Sequence, residues 1–441
     1  MKPPLNERIA PFLRDRYGPE DLASLQRHLR AQGTFAFRAL ATGLYPAAAI
    51  ASGDGMVSGY ENVWVRDNVY VALAHEVGGE TAAARATVLA LASFYLKHRA
   101  RFEDIIEGRA DPQDVMRRPH VRFDGARLVE LPVRWAHAQN DALGYFLWIY
   151  GRMAAAGHLP ADPGLVGLFV RYFEAIRYWQ DADSGHWEET RKVQSSSIGA
   201  VVAGLTAASQ LRSSGSLAPH APESAADWSL RLDELIGKGR DALGRILPAE
   251  CIEPGPGRYR PCDAALLFLV YPLDAVGDAM GRQIVQEVLE KLQGDFGIRR
   301  YLGDSYWTAD YKQKLPPEAR AADVSERQQA RDALASPGQE AQWCIFDPIV
   351  SVIAGRRYLH TGDAADLERQ VHHLNRSLLQ LTGSDCPAGA LRCPEAYYLE
   401  RGRYVPNDHV PLLWTQANLW LALEAMAASA RRDAAAGGRE P

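Results

Sequence analysis

Apolar residues recur along most of the chain at the three- and four-residue spacing of amphipathic helices. Runs that alternate apolar and polar residues are scarce, and no strand–helix–strand rhythm is visible. Many of the helical patterns begin near an Asp, Ser or Pro, which favour helix starts. The pattern therefore predicts an all-α protein, with helices over about residues 21–42, 66–77, 81–98, 138–156, 163–178, 196–213, 226–246, 262–271, 278–291, 340–359, 363–380 and 411–429.

The links between these predicted helices alternate in length. Short links such as Gly78-Gly79-Glu80 favour antiparallel neighbours. The polar link at 214–225 is of middling length and is the exception to the alternation. If successive helices run up and down, the long links all emerge at one end, where a rigid scaffold holds them as a binding surface. The long links are residues 43–65, 99–137, 179–195, 247–261, 292–339 and 381–410.

Tryptophans and paired charges concentrate in or beside the long links. The pairs Arg66-Asp67, Glu188-Glu189 and Arg299-Arg300 are there. Sugar rings have apolar faces that stack on indoles and hydroxyl rims that hydrogen-bond to charged groups, so this mixture favours a carbohydrate ligand. The tryptophans in these links are Trp64, Trp135, Trp187, Trp307 and Trp343.

Two neighbourhoods suggest particular chemistry. Segment 183–190 is too rich in Gly and Asp for a helix, and it places Glu188 beside Trp187. An adjacent indole partly desolvates a carboxyl and raises its pKa, so that it donates a proton near neutral pH; the alternative is a solvated loop anchored by one tryptophan. Asp67 suits the first turn of a helix, but Arg66 opposes the helix dipole there, so we expect it to have a carboxylate or ligand partner.

Composition narrows the functional classes. Apolar residues make up 47% of the chain, enough for a large core, and the net charge of −5 with dispersed basic residues argues against nucleic-acid binding. The 5 cysteines lack zinc-site or disulfide-framework spacing, and we expect neither a metal nor a cofactor. No apolar run is long enough to span a membrane, and the N-terminus lacks a secretory pattern. We expect a soluble, cytoplasmic protein with one domain over residues 1–441, a disordered tail at 431–441 and a mobile surface loop near 315–337. The oligomeric state is left open.

An ordered set of motifs resembles the family 15 glycoside hydrolases, or glucoamylases. The resemblance is stronger still to the glucoamylase-like region of the phosphorylase kinase α and β subunits. It implies an (α/α)6 toroid of six helical hairpins, with the active site at the end that carries the long loops. The motifs, in chain order, are Gly43-Leu-Tyr-Pro-Ala-Ala, Trp64-Val-Arg-Asp-Asn-Val-Tyr70, Trp135-Ala-His-Ala-Gln-Asn-Asp141, Trp187-Glu-Glu189 with Ser195-Ser-Ser-Ile-Gly199, Gly297-Ile-Arg-Arg-Tyr301 with Asp304-Ser-Tyr306, Cys393-Pro-Glu-Ala-Tyr397 and Pro411-Leu-Leu-Trp414.

The same resemblance implies roles for individual residues. By motif position, Glu188 matches the general acid that protonates the glycosidic oxygen, and Glu395 matches the general base that activates water. The family is inverting, which implies release of β-D-glucose from α-linked gluco-oligosaccharides by an exo-acting enzyme. We expect Trp414 to pack in the core rather than contact the ligand, and Asp141 to be as well suited to starting a helix as to binding sugar. The implied substrate-binding residues are Tyr60, Trp64, Arg66, Asp67, Trp135, Asp141, Trp187, Glu189, Arg300 and Trp343.

Two alternatives stay open at this point. The stretch 63–70 is closer to the kinase subunits, which favours a catalytically silent carbohydrate-binding or regulatory protein. Glu189 agrees with the hydrolases, and a silent protein would not need both predicted catalytic acids. A phosphorylase or glycosyl transferase would instead use Arg117-Arg118 and Arg299-Arg300 to bind phosphate. The 441 residues contain neither the N-terminal β-sandwich common in bacterial members nor a starch-binding module, which favours short, soluble α-glucans as substrates.

Overall fold

The computed structural model describes residues 6–48, 59–217 and 225–437. Short 3-10 turns occur at Ala10–Phe12, Gly185–Trp187, Ala264–Leu266 and Pro317–Ala319. The strands are β1 (Val63–Trp64), β2 (Arg122–Asp124), β3 (Val129–Glu130), β4 (Gln342–Trp343), β5 (Ala396–Glu400) and β6 (Arg403–Pro406). The α-helices are α1 (Pro19–Ala31), α2 (Val65–Val77), α3 (Thr81–Lys97), α4 (Ala100–Ile106), α5 (Asn140–Ala155), α6 (Pro163–Ala175), α7 (Ser195–Ser213), α8 (Ala225–Ile246), α9 (Leu267–Val270), α10 (Asp278–Leu292), α11 (Tyr311–Lys314), α12 (Gln328–Asp332), α13 (Phe346–Thr361), α14 (Ala364–Leu379) and α15 (Leu413–Gly437).

A closed ring of inner helices forms the centre of the molecule. Each inner helix contacts the next in the order α2, α5, α7, α9, α13 and α15, and α15 contacts α2 to close the ring. Inner helices are buried on nearly every side, and in α2 every residue from Val65 to His75 is buried. Helices α1, α3, α6, α8, α10 and α14 pack outside this ring, most of them through one apolar stripe. This arrangement is the expected (α/α)6 toroid.

The links between helices differ at the two ends of the ring. Links such as 78–80, 156–162 and 362–363 are short and run from the end of an inner helix to the next outer helix. The long links run from an outer helix to the start of the next inner one, so they gather where the inner helices begin. Residues 49–58 and 218–224, in the first long link and the link between α7 and α8, lie outside the described residues.

Two small antiparallel sheets brace the long links. In one, β2 lies between β1 and β3, with Val63 opposite Phe123. In the other, β5 lies between β4 and β6, with Trp343 opposite Ala396. These strands of 2 to 5 residues are too short for an alternating pattern to predict them. They tie together links that are far apart in the sequence.

Several predicted helices have different bounds in the structure, and two of them differ for a visible reason. The pattern predicted a helix over 21–42, but α1 ends at Ala31 because Gly33 adopts a φ of +74° and turns the chain away. The helix predicted over 340–359 begins later in the structure. Residues Gln342–Trp343 form β4, and α13 starts at Phe346.

The C-terminal helix is longer than expected. We predicted a disordered tail at 431–441, but α15 continues to Gly437, so the prediction is wrong for 431–437. The guanidinium of Arg16 binds both carboxylate oxygens of Asp433, at 2.6 and 2.7 Å, and fastens the end of the helix to the N-terminal segment. Residues 438–441 lie outside the described part of the chain. Across the described part, no helix combines the length and apolar character needed to cross a bilayer.

Inner helices α5 and α7 approach each other closely through glycines. A Cβ at Gly144 would lie 2.5 Å from the backbone carbon of Ala200 and 2.6 Å from the nitrogen of Val201. A Cβ at Gly204 would lie 2.8 Å from the carbonyl oxygen of Gly144. Real Cβ atoms do not come this close to backbone atoms, so the ring spacing here depends on glycine.

We therefore expect Gly144→Ala to lower the free energy of unfolding by about 1–3 kcal/mol, as overpacking does elsewhere. Gly244→Ala is the matched control, because Gly244 lies in α8 with no atom near its Cβ position. That control should be neutral or stabilising by up to about 1 kcal/mol. Denaturant unfolding of both variants measures the difference, and equal stabilities would show that α5 and α7 are not in this close contact.

Candidate active site

A cavity of about 760 Å³ lies where the inner helices begin. This volume includes the part of the cavity that is open to solvent. The walls come from links that precede several different inner helices, which confirms that long links share one end. The lining residues are Ala47, Tyr60, Trp64, Arg66, Asp67, Trp135, His186, Trp187, Glu188, Arg300, Tyr306, Ala321, Ala322, Asp323, Val324, Arg331, Trp343, Glu395, Leu412 and Trp414.

Most of the predicted site residues meet in this cavity. Both predicted catalytic carboxylates line it, although they are far apart in the sequence. Two predicted substrate-binding residues, Asp141 and Glu189, do not line it and lie behind its wall. Predicted substrate-binding residues that do line it are Tyr60, Trp64, Arg66, Asp67, Trp135, Trp187, Arg300 and Trp343.

Glu188 is presented by a tight turn. It follows the 3-10 turn Gly185–Trp187 and has a left-handed φ of 58°. Such a conformation costs a non-glycine residue of the order of 1–3 kcal/mol and is typically kept where function requires it. Gly185 has a φ of 55°, and a Cβ there would lie 2.2 Å from Nε2 of Gln194. The turn therefore depends on glycine and directs the carboxyl into the cavity.

Burial and three donors set the charge state of Glu188. Its Oε1 accepts hydrogen bonds from Nε1 of Trp64 at 2.8 Å and from Nε2 of Gln139 at 3.2 Å. Nη2 of Arg66 lies 3.6 Å from the same oxygen. Burial raises the pKa of Glu188 and outweighs the lowering effect of Arg66 and the donors, so the pKa lies above the ordinary value of 4.5. A carboxyl with a raised pKa is suited to proton donation.

Glu395 has a different environment. Its Oε1 accepts from the hydroxyl of Tyr60 at 2.8 Å, and its Oε2 accepts from Nδ1 of His409 at 2.8 Å and from the amide of Asn407. Burial alone would raise the pKa of Glu395, but His409 and the hydrogen-bond donors outweigh it and hold the pKa below 4.5. The group is therefore kept ionised, as a base must be.

The partners of the two carboxyls pack on each other. The rings of Tyr60 and Trp64 lie 5.2 Å apart, and Tyr60 stacks on His409 at 3.6 Å with a 9° angle between planes. A continuous set of contacts thus joins Glu188, through Trp64 and Tyr60, to Glu395. Two carboxyls with pKa values shifted in opposite directions in one cavity are typical of an acid–base pair.

Arg66 has the carboxylate partner that its position at the start of α2 predicted. Its Nη1 donates to Asp141 and to Gln139, both at 2.8 Å, and its Nη2 donates to the carbonyl oxygen of His186 at 2.9 Å. Asp141 is fully buried at the start of α5 and holds Arg66 from behind. Beside Arg66, burial raises the pKa of Asp67 to about 7 although the guanidinium lowers it.

Glu189 holds an arginine in the same way. It accepts from Arg260 at 3.3 Å, from Arg300 at 3.4 Å and from the hydroxyl of Tyr301. Burial would raise the pKa of Glu189, but Arg260, Arg300 and other nearby cations lower it to about 2. Arg300 also donates two hydrogen bonds of 2.6 Å to Asp304, which fixes its orientation at the cavity wall.

The arginines proposed to bind phosphate do not come together in the cavity. Arg118 is fully buried and donates to both carboxylate oxygens of Asp181, at 2.6 and 2.8 Å. Arg299 lies 3.3 Å from a carboxylate oxygen of Glu340. Of these arginines, Arg300 lines the cavity, and its guanidinium is engaged by Asp304 and Glu189. Among the described residues, no group of three or more His, Cys, Asp or Glu side chains is placed to hold a metal ion.

Several cavity residues were not predicted as site residues. Tyr306 belongs to a quoted motif, and its hydroxyl lies 3.0 Å from that of Tyr60. Trp414 packs on Phe268 in the core, as expected, at 5.3 Å between rings, but it also lines the cavity. His409 does not line the cavity but contacts Glu395 from behind, and it lies outside the quoted motifs.

Residues 315–337, called the mouth loop below, were predicted to be a mobile surface loop. Most of these residues are exposed or partly exposed, as a surface loop requires. Five of them, Ala321, Ala322, Asp323, Val324 and Arg331, also line the cavity. The charged composition of the loop gave no indication of this position.

Comparison with known proteins gives matches over most of the chain. The family described as Glycosyl hydrolases family 15 matches residues 24–335. The regulatory subunit alpha of phosphorylase b kinase, skeletal muscle isoform, from Oryctolagus cuniculus is 27% identical over 277 residues, which is 56% of this chain and 21% of that protein. The chain spans about a fifth to a third of the length of such curated relatives.

Solved structures share the fold at lower identity. A glycosidase variant in complex with glucose is 19% identical and superimposes with a TM-score of 0.64, covering 93% of this chain and 98% of that one. A bacterial glucoamylase complexed with acarbose is 15% identical with a TM-score of 0.57, covering 88% of this chain and 53% of that one.

The hydrogen bonds predict how the two pKa values respond to substitution. His409→Phe keeps a flat ring against Tyr60 but removes the donor to Glu395, so the pKa of Glu395 should rise. Trp64→Phe removes the indole donor to Glu188, so the pKa of Glu188 should rise further. ¹³C NMR titration of labelled glutamate carboxyls measures both, with assignments from Glu188→Gln and Glu395→Gln. Each substitution should move its own carboxyl more than the other, and a pKa that falls or stays unchanged would contradict the assigned contacts.

Proposed function

Because the chain belongs to the family 15 glycosyl hydrolases, as the motifs predicted, we propose that it is an exo-acting, inverting hydrolase that releases β-D-glucose from α-linked gluco-oligosaccharides. The observation that carries the proposal is the pair Glu188 and Glu395, which line one cavity with pKa values shifted in opposite directions. Inverting hydrolysis requires this pair, a protonated acid and an ionised base with room for a water between the base and the sugar.

The proposed reaction is a single displacement. Glu188 gives its proton to the glycosidic oxygen as the bond from C1 breaks, and Glu395 takes a proton from the water that attacks C1 from the opposite face. Positive charge develops on the sugar ring in the transition state, where nearby carboxylates stabilise it. Activity should fall as the pH drops through the pKa of Glu395 and as it rises through the pKa of Glu188, giving a bell-shaped profile.

The shape of the cavity supports exo action. Below its floor the ring centre is filled by closely packed aromatic side chains. Among them, the ring of Trp414 lies 5.4 Å from that of Tyr70 and 5.3 Å from that of Phe268. The cavity therefore ends blindly, and it accommodates the end of a glucan rather than the middle of a chain.

The wall chemistry supports a sugar ligand. Trp187, Trp343 and Trp414 offer apolar faces, and Arg66 and Asp67 offer charged groups for hydroxyls. Structural neighbours with glucose and acarbose are consistent with this chemistry. We propose that the predicted residues lining the cavity contact the substrate directly, and that Asp141 and Glu189 act by positioning Arg66 and Arg300.

A second candidate is a catalytically silent carbohydrate-binding or regulatory protein. The observation that favours it is the match to subunits named as regulatory. Under this reading the cavity binds a glucan end but does not cleave it. Hydrolysis assays separate the two candidates, whereas binding assays do not.

We expect the purified protein to release glucose from at least one member of a panel of α-linked gluco-oligosaccharides. Glu188→Gln and Glu395→Gln should each lower kcat by about 10²–10⁴-fold, since general acid and base catalysis contribute that much. Sugar binding, measured by calorimetry, should persist in both variants.

Glu61→Gln is the matched control, because Glu61 is exposed close to the site but does not line the cavity. It should keep wild-type turnover. Sugar binding without glucose release from any substrate would support the silent protein. Near-normal activity in either Glu188→Gln or Glu395→Gln would show that the catalytic roles are wrong.

A further inference from the structure

The mouth loop forms the solvent-facing part of the cavity wall. Ala322 is exposed, and Ala321, Asp323 and Val324 are partly exposed, although all of them line the cavity. The remaining lining, by contrast, is mostly buried, as for Trp414 at 4% exposure. The cavity is therefore open to solvent at the mouth loop and most deeply buried near the start of the inner helices.

This gradient places the two parts of a substrate. In a blind cavity the terminal sugar enters first and occupies the buried end. The leaving sugar then lies nearer to solvent, where the mouth loop is. The loop therefore contacts the part of the substrate that differs between a disaccharide and a long glucan.

The mouth loop is fastened along its length to other loops of the site. Arg134, in the link before α5, pairs with Glu326. In the link before α7, the hydroxyl of Thr190 donates to the carbonyl oxygen of Ser325 at 3.3 Å. Thus two anchors directly follow the cavity-lining residues.

Other anchors hold the two ends of the loop. Arg320, and Lys312 just before the loop, both face Asp408, which lies between Asn407 and His409, two of the residues that donate to Glu395. Arg331, near the far end, donates to the hydroxyl of Ser305 at 3.2 Å. The anchors come from the links before α5, α7 and α15 and from an earlier part of the loop's own link, so contacts on several sides hold the mouth loop at the cavity.

The small side chains at the rim suit a short leaving group. Ala321, Ala322 and Val324 provide an apolar edge next to one carboxylate, Asp323, and no aromatic side chain on which further sugars of a chain would stack. Within residues 321–324 of the described rim, a long glucan therefore finds no stacking surface beyond its first leaving sugar.

We propose that the mouth loop limits the productive substrates to short α-linked gluco-oligosaccharides, with residues 321–324 contacting the first leaving sugar. This inference rests on the proposed hydrolase function and adds the substrate class to it. The loop acts as a specificity determinant and takes no part in the proton transfers.

Ala322→Trp tests the proposal by adding bulk at the rim. Two substrates are compared: an α-linked disaccharide, which has a leaving sugar, and α-D-glucosyl fluoride, whose leaving group is one atom. Loss of a fitted contact in a pocket is worth about 10–200-fold, so kcat/KM for the disaccharide should fall at least about 10-fold. For the fluoride it should stay within about twofold.

Ala333→Trp is the matched control, because Ala333 is an exposed residue of the same loop that does not line the cavity. It should leave both substrates unchanged. Ala322→Leu is a milder second variant with the same expected direction. Equal losses on the two substrates, or no loss on either, would overturn the proposal.

The wild-type protein gives an independent test. With linear oligosaccharides of increasing length, kcat/KM should stop rising once the first leaving-sugar position is filled, and a steady rise to long chains would overturn the proposal. If the wild type cleaves neither the fluoride nor any oligosaccharide, the proposed hydrolase function fails instead. In that case calorimetry tests the role of the mouth loop in binding alone. The proposal predicts that Ala322→Trp weakens disaccharide binding but not glucose binding.

Discussion

The proposed chemistry depends on holding two buried carboxyl groups of one cavity in different protonation states. Burial by itself raises both pKa values, so the difference must come from the partners. Glu188 meets donors that only partly offset its burial, whereas Glu395 meets Tyr60, His409 and an amide that more than offset it. The rings of Trp64 and Tyr60 pack against each other at 5.2 Å and so connect the two sets of partners.

The toroid makes this arrangement possible by isolating it from the core. Inner helices fill the ring centre with apolar side chains, and the charged groups of the cavity lie where these helices begin. Their N-terminal ends favour negative charge nearby, which suits a site rich in carboxylates. Buried charges without a partner would be strongly destabilising. The buried arginines of the site are therefore paired with carboxylates, Arg66 with Asp141 and Arg300 with Asp304. These pairs also hold the arginines rigid at the cavity wall.

The helical pattern was sufficient to predict an all-α protein whose long links share one end, because short links favour antiparallel neighbours, and the family resemblance implied the toroid. Motif order then brought Glu188 and Glu395 to one site, which periodicity alone could not do for groups 207 residues apart (395 − 188). The short strands escaped prediction because two to five residues carry no pattern. His409 and the mouth loop escaped it because their positions follow from tertiary contacts. Asp141 and Glu189 were predicted to bind sugar, but the structure places them behind the arginines that face the cavity.

The most direct test of acid and base acting from opposite faces is the configuration of the first sugar released. Proton NMR followed from the start of the reaction distinguishes the anomers before they interconvert. We predict that the β anomer of glucose appears first from an α-linked substrate and that the α anomer grows in only by mutarotation. Initial release of the α anomer would mean a covalent intermediate or attack from the other face, and would contradict the assignment of Glu395 as a base that activates water.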